Sequence, residues 1–392
     1  MATPQTPPPS EAYAATLIAL YVLAEQQLLV GATSILRRMT PDLAGRQAAV
    51  PRLRRLVRMI LGPLASQSNQ LVVRLLDAAV REGRADATAA VGTNVLRRSD
   101  VAGGGGVTHP PSRDLVGDDD EPFDLSLPHG ERAARAIRRD LISELEDVRF
   151  RITRLPNDIY KAIAPEAAIY QVRDNDFTSA HAQAAAWRVF VSQGVTGFTD
   201  RSGRNWSLSA YVEMAVRTAS ARAFNASHLE RMHALGIDYF SVPDTGHPCP
   251  LCFPWQHKVL TDGPIADPVI RVDATIAEAT AAGLFHPNCR HVLTPVIPGV
   301  TRLPAPVEWN AEHQAIYDAS QRQRRLELAE RKAKSRLDFA LDAATRKEAL
   351  ADIRDAQSKL RVLVNATGLP RQSRREQVNL TDQRIKMPIP IR

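Results

Sequence analysis

Two short motifs carry residue types that bind soft metal ions: Cys249-x-x-Cys252, in "HPCPLCFPWQHKVL", and His286-x-x-Cys289, in "FHPNCRHVL". A two-residue gap lets the backbone turn and aim both side chains at one point. Zinc takes four thiolate or imidazole ligands in a tetrahedron. Cys249, Cys252, His286 and Cys289 are therefore the expected ligand set. His291, two residues past Cys289, competes with His286 for the fourth position. His247 and His257 flank the first pair and are weaker candidates. The chain has three cysteines, which cannot all pair with one another, so clustered thiols point to metal rather than to a disulfide framework. The plainer alternative is three buried cysteines with no metal.

A catalytic zinc keeps one position open for water and sets a general base beside it. Zinc nucleobase deaminases carry H-x-E followed by P-C-x-x-C. This chain has "HLE" at His228–Glu230 and "PCPLC" at 248–252. However, "HLE" sits inside a helical pattern, and only 17 residues separate Glu230 from Pro248. The pairing also leaves His286 and Cys289 unused. H-E-x-x-H, a P-loop and G-x-S-x-G are absent. The metal is therefore expected to be structural Zn2+, with no catalytic residues. A zinc-dependent nucleic-acid enzyme, deaminase- or nuclease-like, is the alternative; Glu230 would be its base.

The elements that hold these motifs are expected to be helical. Ala, Leu and Arg are frequent and aromatics make up 5%, a mix that favours helix over sheet. Residues 1–10 look disordered. Residues 11–97 read as helices broken at Pro51 and Pro63, and Arg37, Arg38, Arg52, Arg54, Arg55 and Arg58 make part of this region basic. The apolar run before Glu25 is about 13 residues, too short to span a bilayer, and reads as a buried or partner-facing helix. "GGGG", "HPPS" and "GDDDEP" mark a linker over 98–128. Helix resumes at 129–150 and 165–195, and a hairpin is expected around Asp200–Gly203. Ser207 should cap a helix that stops at Gly236, followed by a short strand, "IDYFSV". Beyond Pro306, leucines and alanines at steps of three and four form two stripes with a phase break near 345, the pattern of a helical hairpin. Residues 321–392 carry 18 Lys+Arg against 9 Asp+Glu. That basic excess suits an acidic partner, and the last 25 residues read as an extended arm.

Several long motifs stand in order: "GFTDRSGRNWSLSAYVEM", Arg217–Thr218, "CPLCFPW", Lys258–Val259, "HPNCRHVL" and "GLPRQSRRE". Together they resemble the phage minor capsid protein 2 family, head-morphogenesis proteins related in their cysteine segment to the Mu F-like minor head proteins. Gln256 and His257 depart from the family pattern, and many relatives have Cys where His291 stands. The resemblance implies a virion component of a tailed bacteriophage, made in the host cytoplasm and built into the head near the portal. Its expected partners are portal and/or major capsid proteins, with phage DNA as a further partner of the basic arm. Neither a membrane nor a small-molecule substrate is expected. The expected fold is mainly α with a small α+β zinc-binding segment. Its expected parts are a helical N-terminal region (1–97), a flexible linker (98–128), a minor capsid core domain with the zinc site (129–300) and a basic helical C-terminal arm (301–392). Gly203 and Arg204 would shape the hairpin, and Trp206 would be core.

Overall fold

A computed structural model describes residues 8–40, 42–101, 128–163, 179–193, 198–199, 205–246 and 248–378. Most of the described residues are helical, and they include one small four-stranded sheet. Expectations for residues 1–7, most of the linker, the hairpin turn with Gly203 and Arg204, His247 and the end of the arm lie outside the described residues. So does the side chain of Trp206.

The chain forms two compact units, each assembled from three separated segments. Unit 1 takes in residues 1–14, 73–141 and 217–317; unit 2 takes in 15–72, 142–216 and 318–392.

In unit 2 lies most of α1 (Pro9–Arg37). By length and composition α1 is long and apolar enough to cross a membrane, yet 61% of its most apolar window is buried inside the chain. Leu17, Tyr21 and Leu28 are fully buried. The expectation of a 13-residue apolar piece is corrected, because Glu25, Gln26 and Gln27 continue the helix. The next helix, α2 (Leu43–Val101), starts in unit 2. Asp42 caps its first turn, accepting from the Gly45 N–H at 2.7 Å and the Thr40 hydroxyl at 2.8 Å. Pro51 and Pro63 do not break it. An interior proline costs about 3 kcal/mol. Leu53, Leu56, Val57, Ile60 and Leu64 are all buried along this stretch, each contributing about 1.5–3 kcal/mol, so burial outweighs both prolines. The carbonyls freed four residues earlier belong to Gln47 and Met59, exposed positions where water can reach them.

Unit 2 also holds the second half of α3 (Pro128–Thr153), α4 (Leu155–Ala162) and α5 (Ser179–Gln193). A two-residue ribbon follows, β1 (Phe198–Thr199) antiparallel to β2 (Asn205–Trp206). Ser207 caps α6 (Leu208–Ala234), accepting from the Ala210 N–H at 3.4 Å. The expected C-terminal helical pair is also present.

Unit 1 carries the sheet. Its strands are β3 (Phe240–Ser241), β4 (Leu260–Thr261), β5 (Ala274–Thr275) and β6 (Thr294–Pro295), in the order β5-β4-β3-β6. The β4–β5 pair is parallel and the other two are antiparallel. Phe240 stands opposite both Leu260 and Pro295. Phe240, Val242, Leu260, Leu293 and Cys252 share one core with Met232 of α6 and Ala87 of α2. The short α7 (Ile276–Ala281) opens on a capping box: the Thr275 hydroxyl accepts from the Glu278 N–H, and Glu278 accepts from the Thr275 N–H. These bonds hold the Glu278 carboxyl below its usual range.

The last two helices are α8 (Ala311–Asp338) and α9 (Ala343–Thr367), with Gly368 closing α9 at φ 67°. Their parts in unit 2 form the expected hairpin, bridged by Gln357 to Glu330 at 2.8 Å and Arg336 to Asp352 at 2.5 Å. Asp342 caps α9, its carboxylate accepting from the Thr345 N–H at 2.6 Å. The described start of the expected extended arm instead folds back on α8. Gln323 donates to the Pro370 carbonyl at 3.0 Å, Lys334 to the Glu376 carbonyl at 3.0 Å, and Arg375 lies 4.0 Å from Glu327. Buried Glu327 and Glu330 supply the reason: carboxylates out of water need cations nearby.

Candidate metal centre

Two tight turns build the cluster within unit 1. In the first, the Phe253 N–H donates to the Cys249 carbonyl at 2.9 Å, and a 3-10 turn follows over Phe253–Trp255. In the second, the Cys289 N–H donates to the His286 carbonyl at 2.9 Å. Phe285 and Asn288 around it have φ of 57° and 66°. Asn accepts such a backbone readily, whereas a bulky Phe does so at a cost. The two loops meet at Gly283 (φ 114°), where an added Cβ would stand 3.2 Å from the Leu251 side chain.

Five donor atoms converge there in two overlapping groups, Cys249–Cys252–His286 and Cys252–Cys289–His291. The Cys252 and Cys289 sulfurs are 3.6 Å apart. That is too long for a disulfide and close to the roughly 3.8 Å between two sulfurs on one tetrahedral zinc at about 2.3 Å each. Cys249 Sγ lies 3.2 Å from His286 Nε2, and Cys289 Sγ lies 3.4 Å from His291 Nδ1. Three thiols and two imidazoles are a soft donor set that suits zinc. These residues could hold a metal ion.

The protons distribute unevenly. The single S–H of Cys252, shared between its two neighbouring sulfurs, holds the Cys249 thiol down to about 3 and the Cys289 thiol down to about 4. Cys252 is pushed up, because it keeps its proton between two thiolates. The Cys249 thiolate raises His286 to about 9.

The two histidines differ in their second hydrogen bond. His286 Nδ1 is 2.8 Å from the Pro287 carbonyl, which can only accept. Nδ1 therefore carries a hydrogen and leaves Nε2, the nitrogen facing Cys249, to serve as ligand. His291 is buried, and its Nε2 meets the Gln256 side-chain amide nitrogen at 3.1 Å. An amide N–H donates, so the neutral ring carries its hydrogen on Nδ1 and points it at the Cys289 sulfur. Gln256 and His291 thus touch each other. His257 has φ 61° and serves the backbone, its N–H donating to the Val242 carbonyl at 3.0 Å.

His228 is elsewhere. Its Nδ1 lies 3.1 Å from the Gly83 carbonyl and its Nε2 2.9 Å from the Leu293 carbonyl. Burial lowers its pKa, while Asp86 at 3.3 Å and both carbonyls oppose that shift. With both nitrogens facing acceptors, His228 tethers α2 and the β6 approach to α6. The helices are close here, since a Cβ at Gly83 would stand 2.4 Å from the Phe224 carbonyl. Neither His228 nor Glu230 belongs to the donor groups.

The sequence reading missed an aromatic cluster next to the first loop. The Phe253 ring packs on Trp309 (5.1 Å) and His313 (4.7 Å), and Trp309 packs on Tyr317 (6.5 Å). Asn310 caps α8 in the same place, accepting from the Glu312 and His313 N–H groups at 3.0 Å. The sequence signal was present in His313 and Tyr317, four residues apart on one face of α8, with Trp309 just before its cap.

A helical chain whose small sheet presents a Cys/His cluster in two turns defines the class. Residues 131–365 match the family model described as phage minor capsid protein 2. A relative named "Structural protein", from Lactococcus phage LL-H, is 32% identical over 195 residues, 46% of this chain and 51% of the relative. The chain thus spans about half the length of that curated relative. No solved structure matches. With more than half of its length matched, the chain belongs to the phage minor capsid protein 2 family.

Proposed function

We propose that this chain is a structural minor capsid protein acting in head morphogenesis of a tailed bacteriophage, carried in the virion near the portal and assembled in the host cytoplasm. Family membership is the observation that carries this reading. The partners would be portal and/or major capsid subunits, with the basic C-terminal arm reaching protein or phage DNA. A structural Zn2+ would be held by Cys249, Cys252, His286 and Cys289, pinning the loop over residues 253–285 without catalysis. The His286 tautomer supports that set over one using His291. The enzyme alternative loses support because His228 uses both ring nitrogens on backbone carbonyls.

Mass spectrometry of gradient-purified particles tests this reading. The chain should be present at a fixed low copy number and cross-link to portal or capsid subunits. Absence from mature and immature heads alike would sink the structural role. Deamination or cleavage of nucleic acid that disappears in Glu230→Gln, with folding intact, would reinstate the enzyme.

A further inference from the structure

The first part of α2 lies outside the family match and carries an unusual distribution of charge. Residues 43–76 hold six arginines and no acidic residue. The sequence "PRLRRLVRMI" alternates burial sharply: Leu53, Leu56, Val57 and Ile60 are buried, while Arg52, Arg54, Arg55 and Arg58 are exposed. At 100° per residue these four guanidiniums fan over about 160° of the helix and about 9 Å of its axis. Among the described residues none of the four has an ion-pair or hydrogen-bond partner. Arg54 and Arg58 also line an open cleft of about 640 Å3, whose other walls are Pro51, Val57, Leu61 and Thr153.

The basic C-terminal segment is different. Lys334 pairs with Glu330 at 2.8 Å, Arg336 with Asp352 at 2.5 Å, Arg371 with Glu376 at 2.6 Å and Lys359 with Asp355 at 2.7 Å. Four of its cations are therefore already paired, whereas Arg52, Arg54, Arg55 and Arg58 have no such partner among the described residues.

We propose that this arginine face of α2 binds double-stranded DNA through its phosphates. A planar guanidinium presents a fork of donors that matches phosphate oxygens. Duplex DNA offers a negative charge about every 1.7 Å of axis, so one polyanion can meet several arginines along this face of the helix. No aromatic residue lines the cleft, so it provides no platform for stacked bases, as single-strand sites do. Nor does it hold the buried aromatic anchor of a protein interface. Recognition of this kind is independent of sequence.

Fluorescence anisotropy of the full chain with a labelled 24-base-pair duplex, over 50–200 mM salt, tests the site. Each phosphate contact adds about 0.9 to the log–log salt slope. The variant with Arg52, Arg54, Arg55 and Arg58 all changed to Gln should bind at least about ten-fold more weakly at 50 mM, with a slope shallower by about 3. Two unrelated duplex sequences should give equal affinities. Changing the exposed Arg322, Arg324 and Arg325 to Gln should leave that part of the slope in place. These are surface changes, and an unaltered thermal melt confirms that the variants fold. Unchanged affinity and slope in the four-fold variant would overturn the proposal. So would tighter binding to single strands of equal length, or a loss confined to polyglutamate, which would make the site one for an acidic protein.

Discussion

Cys252 is fully buried and touches both of the other sulfurs, so it sets the chemistry of the centre. Near neutral pH it keeps its proton, and so does His286, raised to about 9. A metal needs both groups deprotonated. Zinc binding should therefore release close to two protons per chain at pH 7, read by calorimetry in buffers of different ionisation enthalpy. Because both pKa values are raised, lowering the pH adds protons that the metal must displace. Affinity should then fall by about two decades per pH unit between pH 8 and 6. His286→Ala should cut the release to about one proton and weaken binding strongly, while His291→Ala should keep both protons and one metal per chain. Equal losses in the two variants would show that the histidines share the role. The spacing of Cys249, Cys252, His286 and Cys289 made a soft-donor cluster legible in the sequence, and the structure gathers these residues with His291 in two overlapping groups. The choice between the histidines was not legible, because it depends on what Pro287 and Gln256 offer their second nitrogens.

At the scale of elements, period decides what a sequence reveals. The helices α6, α8 and α9 repeat apolar residues over six or more turns and are bounded by Ser207, Asp342 and Gly368, so they were legible. Strands β3 to β6 are two residues long and carry no period, so the parallel pairing of β4 with β5 is invisible before folding. The prolines of α2 misled, because proline marks a local cost while the buried stripe beneath is a tertiary gain. The fold-back of residues 369–378 onto α8 was also hidden, since it answers to Glu327 and Glu330. Burial raises the Glu327 carboxyl pKa, and Arg375 only partly offsets it. A raised carboxyl favours the folded state below the ordinary glutamate range and loses that advantage as pH climbs through the folded value. Glu327→Gln keeps the shape and removes the titration. Its melting temperature should match the wild type at pH 4 and exceed it by about 2 °C at pH 7. A gap that is constant with pH, or larger at pH 4, would contradict this account.

For the whole molecule, the family match and the folding units follow different boundaries. The match spans 131–365, yet each compact unit draws on residues before it. In unit 2, buried Arg149 of α3 donates to the Tyr21 hydroxyl at 2.9 Å and the Ser68 hydroxyl at 2.8 Å. In unit 1, His228 rests on the Gly83 carbonyl and Ala87 completes the core around Phe240. A fragment limited to 131–365 would lose these partners. Glu146 stays 3.6 Å from Arg149 in that fragment, but losing hydrogen bonds to a buried charged group costs about 1.5–3 kcal/mol each. Losing the burial of Leu17, Leu28 and Tyr21 costs about 1.5–3 kcal/mol apiece. The sum rivals the entire 5–15 kcal/mol stability of an ordinary domain. The fragment should therefore lack a cooperative thermal transition and be cut rapidly by trypsin. Adding residues 8–101 as a separate chain should restore protection, because Leu17, Tyr21, Leu28, Ser68, Gly83 and Ala87 all lie within it. A cooperative, protease-resistant 131–365 fragment would instead show that the matched segment folds alone and that α1 and α2 are additions to a finished core.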